Sequence, residues 1–393
     1  MSGVAALAEA EWLNRPETQA IFAALDGSKR RTRAVGGVVR DTILGRPRDN
    51  PDIDLATELL PDEVIARATA AGIAWYPTGI EHGTVTLRLG ETLAEVTTLR
   101  TDVETDGRHA VVAFGTSWPE DAARRDFTLN ALYCAADGTL YDPLGGLEDA
   151  LAGRVRFIGD AAQRIAEDGL RVYRFFRFSA SHGEEVFDST GLSACAAAVT
   201  KLGHLSAERV GAEMLRMLGL PKVALTLGEM AALGLFRLDA ETVLTLARYE
   251  ALGGQSATAR LAILLRKISA EALQGQWRLS NDAIKTAARM LDSAGLLAQS
   301  RIGEAAYRFG EAAVDGLAIA AAESDWGRSR VAETARELGS MVVPKFPISG
   351  HDLAGLGVKP GPALGQYLSE LEQAWIDSGF TLHKVDLLGR VKI

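Results

Sequence analysis

The sequence predicts an α+β protein in which a head with a mixed sheet precedes a long all-α remainder. From residue 33 to about 142, short β-like runs such as residues 84–89 and 93–99 alternate with glycine-containing turns and helical stretches. After the turn-forming run at 142–146 (Asp-Pro-Leu-Gly-Gly), helical patterns rich in Ala, Leu and Arg continue nearly to the end. We therefore expect a head at residues 1–145, a helical neck at 146–220, and a helical body and tail at 221–393.

The composition favours a globular protein that folds without covalent cross-links. Apolar residues make up 47% of the chain, and its two cysteines, Cys134 and Cys195, show no metal-ligand spacing. We expect both thiols to be buried, as in proteins of a reducing cytosol. No apolar run approaches the roughly 18 residues that a membrane helix needs, and residues 1–11 do not resemble an export signal. These observations predict a cytoplasmic protein.

The net charge of −9 argues against a nucleic-acid interface that extends over the whole surface, because phosphate binding requires clustered Lys and Arg. Any RNA-binding surface must therefore be local. Residues 154–182 form the basic stretch nearest to this requirement, with six arginines against three acidic residues.

A glycine pair is the first candidate binding element. Gly36 and Gly37 precede a helical pattern that contains Arg40. Glycines at such a position let the backbone approach a triphosphate closely and direct amide N–H groups at it. Arg40 adds positive charge to this contact. An ordinary turn is the alternative interpretation of the pair taken alone.

Two aspartates, Asp52 and Asp54, are the candidate metal ligands. On a strand their two-residue spacing places both carboxylates on one face, where hard oxygen ligands suit Mg²⁺. Two metal ions held in this way activate an attacking hydroxyl and stabilise a pyrophosphate leaving group. Glu95 is the candidate third carboxylate, because an acidic residue within an apolar strand is costly unless it is paired or metal-bound. A solvated turn, and a salt bridge from Glu95 to Arg88 or Arg100, are the alternatives.

Two further motifs combine Arg with Asp. Arg125 lies beside Asp126, so the guanidinium can bind phosphate while the carboxylate accepts from a ribose hydroxyl. Asp168 and Arg171 are three residues apart, and on a helix they would present an acceptor and a donor on one face. Cytosine and adenine match this pair, whereas uracil and guanine leave buried groups unpaired. Ordinary ion pairs within a helix are the alternative for both motifs.

In this order, the motifs resemble those of the class II tRNA nucleotidyltransferases, the CCA-adding enzymes and poly(A) polymerases of the polymerase β-like superfamily. The matching motifs run from Gly36 to about Glu213, and the downstream half matches only loosely. The resemblance implies a polymerase β-like head in which Asp52 and Asp54 are the catalytic pair, assisted by Glu95. It also implies a set of nucleotide-binding residues: Gly36, Gly37, Arg40, Asp41, Arg125, Asp126, Asn130, Asp168, Arg171 and Arg174.

The resemblance implies an activity as well: template-free addition of C, C and A to the tRNA 3′ end from CTP and ATP, with Mg²⁺ as cofactor. The C-terminal helices are then expected to bind the tRNA acceptor arm, and neither a membrane nor a protein partner is expected. Residues 79–84 (Gly-Ile-Glu-His-Gly-Thr) resemble the version found in tRNA enzymes, whereas bacterial poly(A) polymerases tend to have an arginine-rich stretch there.

Two other segments also resemble parts of the same family. The polar run at 100–109, which includes Arg108 and His109, resembles the family's flexible loop needed for A addition. The run from Ser206 to Glu213 resembles a neck segment, and we interpret it as a helix cap with paired charges. A poly(A) polymerase, a partial enzyme that adds only CC or only A, and a catalytically silent RNA-binding protein remain open.

Overall fold

The structure is a computed structural model that describes residues 3–46, 51–106 and 109–391. The chain divides into two compact units. One comprises Met1–Met217 with Glu229–Phe236, and the other comprises Leu218–Gly228 with Arg237–Ile393. The first unit contains the predicted head and nearly all of the predicted neck, whereas the boundaries at 145 and 220 stay predictions.

A mixed seven-stranded sheet forms the head, as the sequence predicts. Its strand order is β3-β4-β5-β2-β1-β8-β9, with β2 and β5 parallel and the other neighbours antiparallel. The predicted strands 84–89 and 93–99 are confirmed as β4 and β5. The strands are β1 (Thr32–Val35), β2 (Ile53–Thr57), β3 (Ala74–Gly79), β4 (Thr84–Leu89), β5 (Thr92–Thr98), β8 (Tyr133–Cys134) and β9 (Leu140–Tyr141).

The remaining two strands correct an expectation. Residues 100–109 were expected to form a polar loop, but β6 (Arg100–Asp106) pairs antiparallel with β7 (His109–Phe114). β-branched residues at alternate positions, Thr101, Val103 and Thr105, favour an extended backbone despite the intervening acidic residues. Arg108 lies outside the described residues.

In the described residues up to Leu218, five helices precede residue 146 and five more begin at or after it. The head helices are α1 (Glu11–Asn14), α2 (Pro16–Ala24), α3 (Gly37–Ile43), α4 (Pro61–Ala70) and α5 (Trp118–Ala123). The next are α6 (Gly146–Leu151), α7 (Ala161–Glu167), α8 (Leu170–His182), α9 (Ser189–Ala198) and α10 (Ala207–Leu218). The change to helical structure at Gly146 confirms the transition that the sequence predicts at 142–146.

The described part of the chain beyond α10 is helical, again as predicted. The helices are α11 (Ala224–Ala232), α12 (Ala240–Ala251), α13 (Ala257–Leu264), α14 (Ala270–Trp277), α15 (Asn281–Ala298), α16 (Ile302–Phe309), α17 (Ala312–Glu323), α18 (Arg328–Ser340), α19 (Gly350–Gly355), α20 (Pro362–Asp377) and α21 (Lys384–Leu388).

Over β4 and β5, the head sheet has one buried face and one open face. Val85, Leu87, Ala94 and Val96 are at most 1% exposed, and α4 packs against the strands that carry them. Residues that alternate with them along β4 and β5 therefore point to the other face, which remains open. This open face carries the carboxylates described below.

Both cysteines are buried, as expected. Burial raises the pKa of the Cys134 and Cys195 thiols to about 12, so neither is a thiolate at neutral pH. Among the described residues, no helix has the length and apolar content needed to cross a membrane.

Candidate active site

Three carboxylates lie close together on the interior strand β5 and at the start of its neighbour β2. Asp54 in β2 is paired in parallel register with Glu95 in β5, and Asp52 lies two residues before Asp54. Ile53 and Leu55, each 1% exposed, anchor β2 in the core, so the alternating carboxylates face solvent. The two-residue spacing of Asp52 and Asp54 thus predicts their common face, in agreement with the structure. All three side chains line a cavity of about 280 Å³ together with Gly37 and Asp41.

Electrostatics make this cluster suitable for a cation. Partial loss of hydration within the cavity, with repulsion from Glu95, raises the pKa of the still accessible Asp54 to about 6, although Arg125 opposes the shift. Among the described residues, no three His, Cys, Asp or Glu side chains already converge enough to hold a metal ion by themselves. One or two carboxylates with phosphate oxygens and water are, however, a common ligand set for Mg²⁺.

The raised pKa predicts a stability effect of Asp54→Asn. A carboxyl whose pKa is higher in the folded state than in the unfolded state destabilises the protein once it ionises, fully so above about pH 6. The metal-free variant should therefore have a free energy of unfolding higher by on the order of 1 kcal/mol at pH 7.5, because solvent screens part of the full shift. Thermal melts in EDTA measure the gain, which should shrink as the pH falls from 6 to 4. Equal melting temperatures at pH 7.5 would contradict it.

A second, basic cavity of about 570 Å³ shares Asp54 with the carboxylate cluster. It concentrates positive charge within an acidic chain. Gly36, Gly37, Asn130 and Asp168 also line it. Its arginines are Arg40, Arg100, Arg124, Arg125, Arg171, Arg174 and Arg177.

Helix α8 explains three of these arginines. Arg171, Arg174 and Arg177 follow a three-residue spacing and lie on one side of the helix, while Phe175 and Phe176, both 0% exposed, anchor the other side. The helix thus presents its guanidinium groups to the cavity. Sequence analysis assigned Arg171 and Arg174 to the site but missed Arg177.

The glycine pair forms the start of α3. Gly36 has φ +75°, a conformation that favours glycine, and its N–H donates to the Leu132 carbonyl at 3.0 Å. α3 begins at Gly37, so the first N–H groups of the helix have no partner within it. Arg40, 3% exposed, donates to Asp41 Oδ1 at 2.8 Å and to Asn130 Oδ1. Arg40 thus also braces the cavity wall.

Asp121 is a site residue that sequence analysis missed. It lies on α5, is 1% exposed, and accepts from Arg124 at 2.8 Å, Arg125 at 3.1 Å and the Tyr133 hydroxyl at 2.8 Å. Burial alone raises the pKa of Asp121, but Arg125 and Arg124 outweigh this effect and the net pKa is lowered. Asp121 therefore holds the two arginines at the cavity in a fixed orientation. Its spacing of three and four residues from them was the available signal.

Asp126 is fully engaged within the protein. Oδ1 accepts from Phe127 N at 2.8 Å and Asn130 Nδ2 at 3.1 Å, while Oδ2 accepts from Arg174 Nε at 2.8 Å and Nη2 at 2.5 Å. A carboxylate offers about four acceptor positions, and these contacts use them all. The expected acceptance from a ribose hydroxyl therefore does not fit this arrangement. Asp126 instead fixes Asn130 and Arg174, and it does not pair with its neighbour Arg125 as a local helix motif would.

Asp168 and Arg171 do not share a helix, which corrects the sequence prediction. Asp168 ends α7 in an extended conformation with φ −147°, and its Oδ1 accepts from the Leu170 N–H at the start of α8. Arg171 is the second residue of α8, and both side chains still line the basic cavity. They have different partners, since Asp168 Oδ2 accepts from Arg209 at 2.8 Å and Arg171 donates to Glu167 at 2.7 Å. The simple Asp–Arg ion pair is thereby excluded.

Glu213 anchors the arginines of α8 from α10. It is 2% exposed, accepts from Arg177 at 2.5 Å and Arg216 at 3.0 Å, and lies 3.8 Å from Arg174. Ser206 accepts from the Arg209 N–H at 3.3 Å, which confirms the predicted helix cap. Sequence analysis treated this segment as structural, but Arg209 reaches Asp168 and so belongs to the site.

The sequence matches a known family model and several named relatives. The family model described as the poly A polymerase head domain matches residues 32–156. The mitochondrial CCA tRNA nucleotidyltransferase 1 of Danio rerio is 34% identical over 91% of this chain and 86% of its own. The CCA-adding enzyme of Lacticaseibacillus paracasei is 35% identical over 86% of each chain. The chain belongs to the CCA-adding tRNA nucleotidyltransferase family.

The fold agrees with membership of the CCA-adding family. A crystal structure of the Bacillus stearothermophilus CCA-adding enzyme in complex with CTP is 27% identical and superimposes with a TM-score of 0.77, covering 95% of this chain and 96% of that one. The predicted α+β fold and the nucleotidyltransferase class are thus confirmed. The similarity to these relatives extends over most of the chain, past the motifs that end near Glu213. Nucleotidyltransferases of this family generally use a divalent metal.

Proposed function

We propose that this protein adds C, C and A to the 3′ end of tRNA, using CTP and ATP and no nucleic-acid template. The observation that carries the proposal is the position of Asp54, which belongs to both the carboxylate cluster and the basic cavity. A triphosphate in the basic cavity would place its α-phosphate beside the carboxylates. This arrangement suits transfer of a nucleotide to an RNA hydroxyl with release of pyrophosphate.

Asp52 and Asp54 are the proposed Mg²⁺ ligands, and Glu95 assists beside them. When bound, the metal would supply activation of the attacking hydroxyl and stabilisation of the pyrophosphate. The raised pKa of Asp54 supports the assignment of these carboxylates to a divalent cation. Repulsion between the carboxylates contributes to this shift, and a divalent cation would relieve it.

The basic cavity is the proposed nucleotide site. Arg125, oriented by Asp121, would contact the phosphates, and the N–H groups at the start of α3 would approach them beside Gly36 and Gly37. Asn130 and Arg174, both held by Asp126, would complete the pocket for the sugar and phosphates.

Asp168 and Arg171 are the proposed base-selecting pair. Each is fixed by a separate partner, Arg209 or Glu167, so a base would meet an acceptor and a donor at positions set by the protein. Such a pair matches the amino group and ring nitrogen of cytosine and adenine. The protein itself would therefore choose C and A.

We assign tRNA binding to the helical body and tail at 221–393, next to a neck at 146–220 and a head at 1–145. Double-stranded RNA is recognised mainly by shape and backbone contacts, which an acidic chain can provide locally. A cytoplasmic location belongs to the same proposal.

Product length tests the proposal. Purified protein would receive a tRNA that ends before the first C, with CTP and ATP separately and together, and gel electrophoresis would size the products. We expect two added nucleotides with CTP alone and three with both. Long A tails would indicate a poly(A) polymerase. A product that stops after CC, or addition of A without any C, would indicate a partial enzyme. The absence of transfer to any RNA would contradict the proposed function.

A further inference from the structure

A continuous row of residues leads from the catalytic carboxylates to the free edge of the sheet. Asp54 is in register with Glu95, Glu95 with Thr86, and Thr86 with Tyr76 in the edge strand β3. Residues directly opposite one another on adjacent strands project from the same face. The register of β3 shifts between Tyr76 and Gly79, and the hydroxyls of Thr78 and Thr86 lie 2.7 Å apart. Tyr76 therefore shares the open face with Asp54.

This face is open and carries groups suited to a single strand of nucleic acid. Tyr76 is 47% exposed and Leu93 is 39% exposed, which is unusual for large apolar side chains that share a sheet face. Arg88, in register with Leu93, is exposed in the same row, and its Nε donates to the Gly90 carbonyl at 3.2 Å. Trp75, the neighbour of Tyr76, points the other way, toward α4, where its Nε1 donates to Thr69.

The position of the basic cavity identifies which reactant would occupy the open face. Gly36 follows β1 and Asn130 precedes β8, so these cavity residues adjoin the sheet on one side of β2. Glu95 and Tyr76 lie on the other side, on β5 and β3. In an in-line displacement, the attacking hydroxyl approaches opposite the leaving pyrophosphate. A triphosphate held by the arginines therefore requires the RNA 3′ end to arrive over β5, β4 and β3.

We propose that the open face of β5, β4 and β3 binds the single-stranded 3′ end of the RNA, with Tyr76 as the residue on which a base stacks. The inference rests on the proposed function. Three strand spacings separate Asp54 from Tyr76, about 14 Å, which corresponds to about four stacked nucleotides. The stacked base thus lies a few nucleotides upstream of the reacting hydroxyl, and Arg88 contacts the backbone near it. Aromatic stacking of this kind is a general mode of single-strand binding.

Substitution of Tyr76 tests the inference by separating RNA binding from nucleotide binding. With a tRNA that ends before the first C as the probe, Tyr76→Ala should raise the KM for this RNA about tenfold, since the stacking contact is lost. The KM for CTP and the melting temperature should stay at the wild-type values. Tyr76→Phe, which keeps the ring, should restore the wild-type KM for RNA. Trp75→Ala is the matched control, because its side chain lies on the same strand but on the opposite face.

The outcomes distinguish this inference from the proposed function. If the wild type transfers nucleotides and Tyr76→Ala has the wild-type KM for RNA, the inference is overturned and the proposed function is left intact. An equal rise in the KM for CTP, or an equal rise in Trp75→Ala, would also overturn it, because the effect would then be a general disturbance of the sheet. Absence of transfer by the wild type would overturn both.

Discussion

Asp54→Asn should lower the rate of CMP transfer by at least about a thousandfold, and Asp52→Asn should do nearly the same. Both substitutions replace an anionic oxygen ligand by an amide at the position where the metal must meet the α-phosphate. A thousandfold loss corresponds to about 4 kcal/mol of lost transition-state stabilisation, which is reasonable for a direct metal ligand. Single-turnover incorporation of labelled CTP into a truncated tRNA measures it.

The control for this prediction is Glu91→Gln. Glu91 is an exposed carboxylate in the turn between β4 and β5, so its substitution removes a negative charge from the same sheet away from the carboxylate cluster. It should transfer CMP at the wild-type rate. An Asp54→Asn variant that keeps a tenth or more of the wild-type rate would show that Asp54 is not a metal ligand.

Asp168→Ala should weaken the discrimination of C and A against U and G by about ten- to a hundredfold. In the proposed role, the Asp168 carboxylate would reject uracil and guanine because a carbonyl oxygen placed against it leaves both acceptors unpaired, at a cost of about 1–3 kcal/mol. Alanine removes that repulsion and also releases Arg209, whose donors then become available to a carbonyl. Incorporation of each of the four nucleotides into a truncated tRNA, as kcat/KM, gives the ratio.

Glu184→Gln provides the comparison for Asp168→Ala. Glu184 is exposed in the turn after α8, and it does not line the basic cavity. Its selectivity should match the wild type. If Asp168→Ala transfers nucleotides with unchanged preference for C and A, base choice does not depend on this carboxylate.

Local sequence patterns were sufficient to predict strands β4 and β5 and the common face of Asp52 and Asp54. The alternation of buried and exposed residues in β5 distinguishes Glu95 from its neighbours, and the two-residue spacing of Asp52 and Asp54 fixes their common face whatever the partner strand. The parallel pairing that brings Asp54 beside Glu95 involves residues 41 positions apart, and no local pattern specifies it.

Local patterns failed where side chains compete with the backbone. The run from Glu167 to Arg171 has the charge spacing of a continuous helix, but the Asp168 side chain bonds to the Leu170 N–H next to Gly169 and interrupts it. The hairpin of β6 and β7 was missed because its acidic residues resemble a loop by composition, although their β-branched neighbours favour a strand.

The sequence also did not predict which acidic residues form ion pairs with the arginines of α8. Asp126 pairs with Arg174, 48 residues away, and Glu213 with Arg177, 36 residues away. Each arginine has several acidic residues nearer in sequence, so only the packing of α8 against its neighbours selects the pair. For this reason the sequence predicted that Asp126 would contact the ribose, whereas the structure engages all of its acceptor positions internally.

Protein side chains are proposed to select the nucleotide, and nucleotide binding in the absence of RNA tests this selection most directly. Calorimetric titration with each of the four nucleoside triphosphates, in the presence of Ca²⁺, would give their affinities. We predict that CTP and ATP bind to one site per chain and displace one another, while UTP and GTP bind at least tenfold more weakly, a difference lost in Asp168→Ala. Equal affinities for all four nucleotides in the wild type would contradict the claim.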